Sequence, residues 1–410
     1  MAFYQTKLSN GLQLLGETNP SALSTALGFF VRTGARDEVD GESGVTHFLE
    51  HMIFKGTEKR DALQVNRDFD RIGADNNAFT SEESTVFHAV VLPEYMPQAL
   101  DVLADILRPS LRDSDFQTEK KVIKDEIARY EVRPEWAVYD ESRKLFFGRH
   151  PLGQSILGTR ESIDALTRDQ MHDYFRRRYV APNIIAVAAG NFDWNEFARL
   201  VEEHCGKWET GPIGRKNLVE ANRHAGQRLI PREKLNQEYA MLWAPAPAAD
   251  SPMRYAANIL TSIVGDYTGS RLFWELVDPG LADSADFSFL EYEAAGAYIL
   301  SFSCQPENTA GNLKIIRRIL SEVQKNGVTD EEVRVARTRM AAREVRANER
   351  THRRMLSIGN NWTYLNAYRT LDDELASIDA VTRGDVQTLL DRYPLTDLMT
   401  VALGPLEKLD

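Results

Sequence analysis

Cysteine is scarce: Cys205 and Cys304 are the only two in 410 residues. A disulfide framework is thereby excluded, and since neither thiol sits in a CxxC, both are expected to be inert groups in a reducing compartment. Long apolar runs are missing as well, with no stretch near the ~18 residues of a membrane span. Positive charge is in deficit. With 49 Lys and Arg against 61 Asp and Glu, the formal net charge is −12, which argues against nucleic acid or an anionic membrane as partner. The opening MAFYQTKLSNGLQLLGETNP has neither a basic start with an apolar core nor an Arg-rich, acid-poor amphipathic character. A soluble, cytoplasmic protein of bacterial type is the expectation. Low-complexity tracts are absent too, and 43% of residues are hydrophobic, enough for more than one core, since single domains run to about 100–200 residues.

What the chain does contain is a repeat. Ser162 to Arg168 reads SIDALTR, and Ser377 to Arg383 reads SIDAVTR. Behind each copy comes an Arg-Tyr pair and then a strand-like stretch: Arg178-Tyr179 before Val187 to Gly190, and Arg392-Tyr393 before Val401 to Gly404. Two matches at nearly one offset indicate duplicated domains and not a solenoid, whose period would be about 20–50 residues. The expected organisation is an N-terminal domain over 1–210, a turn-rich linker over 211–222, and a homologous C-terminal domain over 223–410. Hairpin-like strands mixed with helices set the fold class as α+β. Each of two similar domains is expected to be a mixed or antiparallel sheet with helices packed on one face.

The chemistry concentrates in His47-Phe48-Leu49-Glu50-His51. Ser43 as N-cap, the stripe Val45, Phe48, Leu49, Met52 and Ile53, and Gly56 beyond the last turn predict a helix here. Residues four apart then lie one turn above each other, so both imidazoles face one way. Two neutral imidazoles with a carboxylate that is not itself a ligand are the parts of a zinc site that activates water. A third ligand is needed. The spacing predicts a helix over Asp115 to Tyr130, opened by a Ser114/Gln117 capping box, with Glu119 and Glu126 on one face. Spacing alone does not choose between these acids, nor require that either meets the histidines. His88, in the alternating stretch from Ser84 to Val91, reads as a structural residue. Thr329 and Glu332 form a capping box before a helix whose five arginines read as a solvated face with acidic partners.

GVTHFLEHMIFKGT, then DNNAFTSEEST, then EKKVIKDEI together resemble the pitrilysin/insulinase family of zinc peptidases, and within it the bacterial relatives of the mitochondrial processing peptidase. The resemblance covers the first half fully and the second loosely. It implies that His47, His51 and Glu126 bind one zinc per chain, that Glu50 is the general base, and that Glu119 supports the site. It implies also that Asn77, Ala78, Phe79 and Thr80 hold an extended substrate along an edge strand. Unstructured or presequence-like peptides in an enclosed chamber are the implied substrates, and a homodimer or a heterodimer with a related chain is the implied assembly. The pattern departs from the family in the second half. After Gly269 to Phe273, relatives commonly carry an Arg and a Tyr that reach the substrate carbonyl, and at about those positions stand Val277 and Asp283. Arg271, Tyr292 or a partner chain are the replacements in view. No metal site is expected there, because AANILTSIV in the corresponding helix carries neither histidine nor acid. A non-catalytic assembly relative is the competing class, but such chains usually lose zinc ligands and this one keeps the full set.

Overall fold

The computed structural model describes residues 1–213, 215, 224–266 and 268–409. It divides into two compact units: Met1–Ala128, Gln154–Asn217 and Arg346–Tyr368 form one, and Arg129–Gly153, Leu218–Val345 and Arg369–Asp410 the other. Each unit takes one segment from the other half of the chain, 346–368 in the first and 129–153 in the second. Of the expected linker, Gly214 and 216–222 lie outside the described residues.

The first unit is built on six strands, β1 (Ala2–Lys7), β2 (Gln13–Thr18), β3 (Thr25–Val31), β4 (Asp75–Thr80), β5 (Thr85–Val91) and β6 (Ile184–Gly190), in the order β1-β2-β6-β3-β5-β4. The second has β7 (Gly226–Pro231), β8 (Glu238–Pro245), β9 (Ser284–Tyr292), β10 (Ala295–Cys304) and β11 (Met399–Gly404), in the order β7-β11-β8-β10-β9. Both sheets are mixed. Each has one parallel pair, β2 with β6 and β7 with β11, and is antiparallel elsewhere. Strand for strand, β7-β11-β8-β10-β9 repeats β2-β6-β3-β5-β4, so the duplication visible in SIDALTR and SIDAVTR runs through both sheets.

Helices α1 (Val45–Ile53), α2 (Ala62–Arg71), α3 (Met96–Ile106), α4 (Asp113–Glu131), α5 (Pro134–Phe147), α6 (Arg160–Ala165), α7 (Arg168–Arg178) and α8 (Trp194–Cys205) come from the first half. From the second come α9 (Arg254–Gly265), α10 (Thr309–Asn326), α11 (Asp330–Asn348), α12 (Thr351–Leu365), α13 (Leu371–Asp379) and α14 (Arg383–Arg392). One face of the first sheet, with Leu14, Leu27, Phe29 and Phe87, packs on Phe48, Leu49 and Met52 of α1 and Leu100 and Leu103 of α3. The opposite face is covered too. Leu15, Ala26, Phe30, Val86 and Val187 point there and are buried by Met355 and Ile358 of α12. A strand buried on both faces reads as a continuous apolar run, and all seven residues of β3 are buried. In the second unit α5 does the reciprocal job, laying Val138, Phe146 and Phe147 on Trp243, Ile299, Val401 and Leu403. The single helical layer expected on each sheet is therefore joined by one helix contributed by the other half of the chain.

Close contact holds α12 in place. A Cβ on Gly359 would lie 2.2 Å from the Phe30 ring, so only glycine lets the helix approach this near. Beside it the buried Arg354 donates from Nε to both oxygens of the buried Glu17, at 2.8 and 2.9 Å. The Tyr368 hydroxyl donates to the same carboxylate, so this buried charge is paired and hydrogen-bonded.

Candidate metal centre

Helix α1 starts differently from the sequence expectation. Its N-cap is Gly44 at φ +88, not Ser43, and a Cβ there would meet the Leu157 carbonyl oxygen at 2.6 Å. The cap acceptor comes from outside the helix: the buried Glu38 carboxylate accepts from the Gly44 and Thr46 amides, each at 2.9 Å. Burial pushes this carboxyl up to about 8, against the pull of the two amide hydrogen bonds, so it caps chiefly as a hydrogen-bond acceptor. Helix α4 likewise opens at Asp113, with Asp113 and Asp115 in its first turn, in place of the Ser114/Gln117 box. Phe48 of α1 stacks on Phe116 of α4 with ring centroids 4.7 Å apart. That contact turns the polar face of α1, with His47, Glu50 and His51, toward the acids of α4.

The two acids that spacing left equivalent occupy different places. Glu126 faces both imidazoles, with Oε1 3.9 Å from His47 Nε2 and Oε2 3.5 Å from His51 Nε2. Glu119, buried, stands behind His51, with Oε1 2.9 Å from Nδ1. An ionised carboxylate only accepts, so His51 Nδ1 carries a proton and Nε2 is the nitrogen turned toward Glu126. Lys55, one turn beyond His51, reaches the other Glu119 oxygen at 2.7 Å. A lysine–glutamate–histidine chain therefore orients one nitrogen. His47 has no such support, since its buried Nδ1 has no hydrogen-bond partner.

This set fits a tetrahedral zinc ion. Ligand atoms about 2.1 Å from a common ion at tetrahedral angles lie roughly 3.4 Å apart, close to the 3.5 and 3.9 Å found between nitrogen and oxygen. These separations exceed the about 2.7–3.2 Å of a good N–H···O bond, so the three groups converge on a point without bonding one another. Among the described residues His47, His51 and Glu126 are the one trio of such side chains with ligand atoms all within 4.8 Å of one another. No comparable group occurs among the described residues of the second unit.

Burial and charge act together here. Burial, helped by the neighbouring His51, pushes His47 down to about 3, so it is neutral and ready to donate its lone pair. His51 goes the other way: burial opposes its charge, but the Glu119 hydrogen bond and the Glu126 and Glu50 carboxylates outweigh that and raise it. For Glu119 burial works upward, and its contacts to His51 and Lys55 prevail and lower it. Glu50 is raised, chiefly by burial, with partial relief from a hydrogen bond to Thr80.

The segment Asn77 to Thr80 lies in β4, the terminal strand of its sheet, so no described strand pairs with its outer edge, and the Ala78 N–H donates to the Asn77 side chain at 2.9 Å. Asn77 and the 39% exposed Phe79 project to one side, while Ala78 packs against the core. Thr80 differs from its neighbours in that its Oγ1 donates to Glu50 Oε2 at 2.6 Å. Nothing in the spacing points to that contact, which depends on strand and helix meeting in space. The role of Lys55 was within reach, since it sits four residues after His51 on the same face. His88 packs against His352 of α12, with ring centroids 4.3 Å apart and the planes tilted by 33°, on the sheet face opposite α1.

In the second unit Arg271 is held by Glu332, at 2.8 and 3.0 Å, and the buried Tyr292 packs among Phe147 and Ala295. Val277 packs against the core, and Asp283 accepts from Gln237 at 2.9 Å. The Thr329/Glu332 capping box forms as expected, and Arg334, Arg337 and Arg343 pair with Glu331, Asp379 and Asp266.

Comparison with known proteins adds three kinds of likeness. The family profile described as Insulinase (Peptidase family M16) matches residues 14–160, and that described as Peptidase M16 inactive domain matches 165–340. An uncharacterized zinc protease of Streptomyces coelicolor is 33% identical, over 98% of this chain and 90% of its own length. A crystal structure of a protease from Helicobacter pylori superposes with a TM-score of 0.90 at 21% identity, covering 98% of this chain and 99% of that one. One described as a peptidase M16 inactive domain from Pseudomonas fluorescens does so with 0.92 at 19% identity, covering 99% and 98%.

Proposed function

We propose, from the premise that this chain belongs to the insulinase family, peptidase family M16, that it is a zinc metalloendopeptidase cleaving unfolded peptides or presequence-like segments. The observation that carries the reading is the convergence of His47 Nε2, His51 Nε2 and Glu126 on one point, with Glu50 beside them on α1. Three protein ligands with a fourth position left open is the catalytic and not the structural pattern. When bound, zinc supplies a Lewis acid that lowers the pKa of a coordinated water to about 7.

The rest falls to the chain's own side chains. Glu126 supplies charge as well as a ligand atom. Glu119 and Lys55 keep His51 in the tautomer that presents Nε2. Glu50 removes the proton from the attacking water and afterwards delivers it to the departing amine. A carboxyl raised toward neutrality by burial is suited to both transfers. The free edge of β4 takes the peptide as an added strand, whose backbone hydrogen bonds place the scissile carbonyl. Among the described residues no helix is long and apolar enough to cross a membrane, and we assign the enzyme to the cytoplasm, acting on peptides and not on nucleic acid.

A second reading rests on Arg271. Its guanidinium is taken up by Glu332, and the Val277 side chain cannot donate a hydrogen bond, so among the described residues neither position supplies the family's usual Arg. Removing such donors at a developing oxyanion costs about 10²–10³ in rate. In that reading the chain works only when assembled, with a related chain that brings the Arg and Tyr pair or as a homodimer whose second copy completes the site with other residues. Cleavage of 10–30-residue unstructured peptides by the zinc-loaded chain, alone and at rising concentration, separates the two. Activity per chain independent of concentration supports a self-sufficient enzyme, and activity that appears only on assembly or on adding a related chain supports the second.

A further inference from the structure

We propose that Thr80 is a positioning residue for Glu50: its hydroxyl fixes the carboxylate so that Oε1 alone is left to take the proton. The inference rests on the peptidase reading of this site and assigns a residue role within it.

Glu50 is on α1 and Thr80 is the last residue of β4, so the two meet only because the sheet and helix pack together. Thr80 Oγ1 donates to Oε2 at 2.6 Å, at the short end for a hydroxyl bonded to a charged acceptor. No described group donates to Oε1. A side chain with three rotatable bonds samples many orientations unless something holds it. In this cluster that something is Thr80, because the other polar groups nearby are engaged with one another or with the ligand point: Lys55 and His51 Nδ1 with Glu119, and Glu126 with the two imidazoles.

The strand ties this contact to substrate. Thr80 pairs with Thr85 of β5 across the inner edge of β4, and the outer edge of β4 is open. Threonine is stiff at χ1 because it is β-branched, so its hydroxyl direction is inherited from the strand. A peptide docking on the outer edge straightens and rigidifies the same backbone that aims the hydroxyl. Strand docking and orientation of the base are thereby one event, and a group that needs alignment to within about 1 Å can lose up to 10²-fold in rate when it drifts.

The test compares Thr80→Val, which keeps the shape and removes the hydroxyl, with Thr80→Ser, which keeps the hydroxyl. Zinc content, kcat and KM on one unstructured peptide, and crystal structures of the zinc-loaded proteins are read together. Val is expected to lower kcat about 10- to 100-fold with KM and zinc content unchanged, and Ser to restore most of it. The Glu50 carboxylate is expected ordered in one rotamer in the wild type and spread or turned away in Val. A Val variant with unchanged kcat and an ordered Glu50 overturns the proposal, as does a raised KM with unchanged kcat, which would make Thr80 a docking residue only. If the wild type binds zinc and cleaves nothing, alone or with a related chain, the peptidase reading fails while the rotamer comparison still decides the role of Thr80.

Discussion

Replacing Glu119 by glutamine tests the support behind the proposed metal ligands. The carboxylate is 3% exposed and bonds His51 Nδ1 at 2.9 Å and Lys55 Nζ at 2.7 Å. Glutamine has nearly the same size and keeps one carbonyl acceptor for the Nδ1–H, so packing is preserved and only charge and one acceptor are lost. Lys55, whose side chain is 36% exposed, turns out to water at little cost. What changes is the basicity of His51 and the strength with which its ring is held. Groups in this position are worth about 10- to 100-fold in metal affinity, equivalent to about 1.4–2.8 kcal/mol. A chelator competition titration should therefore show zinc held that much more weakly by Glu119→Gln, with the urea midpoint of the metal-free protein moved little. Lys55→Met should give a smaller effect in the same direction, because it acts through Glu119. Unaltered zinc affinity in Glu119→Gln would refute the chain from Lys55 to His51.

Two further outcomes follow from the fold. Gly359→Ala places a methyl 2.2 Å from the Phe30 ring; overpacking of this kind costs about 1–3 kcal/mol, seen as a lowered urea midpoint, and an unchanged midpoint would mean that α12 shifts freely. Glu238 is wholly buried in β8, and burial pushes its carboxyl up to about 7. The folded state thus keeps a proton that the unfolded chain releases above about 4.5. Its contribution to stability is full below that value and is lost as pH rises to about 7, by on the order of 1–3 kcal/mol. Glu238→Gln should be as stable as the wild type near pH 5 and more stable near pH 8 in paired thermal melts, and a difference independent of pH would contradict the buried, protonated carboxyl.

The parts of this structure legible in the sequence are those written locally. The stripe Val45, Phe48, Leu49, Met52 and Ile53 is buried as its period requires, and it sets His47 and His51 on one face. The repeat was readable from two short matches, and the sheets carry it strand by strand. Glu119 and Glu126 were found as a pair, but seven residues is two turns, so spacing put them on one stripe and left the choice to tertiary placement. Ser43 looked like a cap because hydroxyls commonly cap; a left-handed Gly44 and a carboxylate from six residues upstream took the role instead. The placement of α5 and α12 could not be read at all. Their apolar faces show that they pack, but which sheet receives them is a matter of long-range topology. The same holds for Thr80, read as backbone support for substrate and found with its hydroxyl on Glu50.

The central claim is that three side chains of the first unit hold a catalytic zinc and that Glu50 moves the proton. The most direct measurement is zinc content and peptide cleavage in parallel for the wild type, Glu126→Gln and Glu50→Gln. The account predicts about one tightly bound zinc and cleavage in the wild type, weakened zinc binding with lost cleavage in Glu126→Gln, and in Glu50→Gln full zinc with cleavage reduced by at least about 10². Glu50→Gln cleaving like the wild type, or a wild type that binds no zinc, would contradict it.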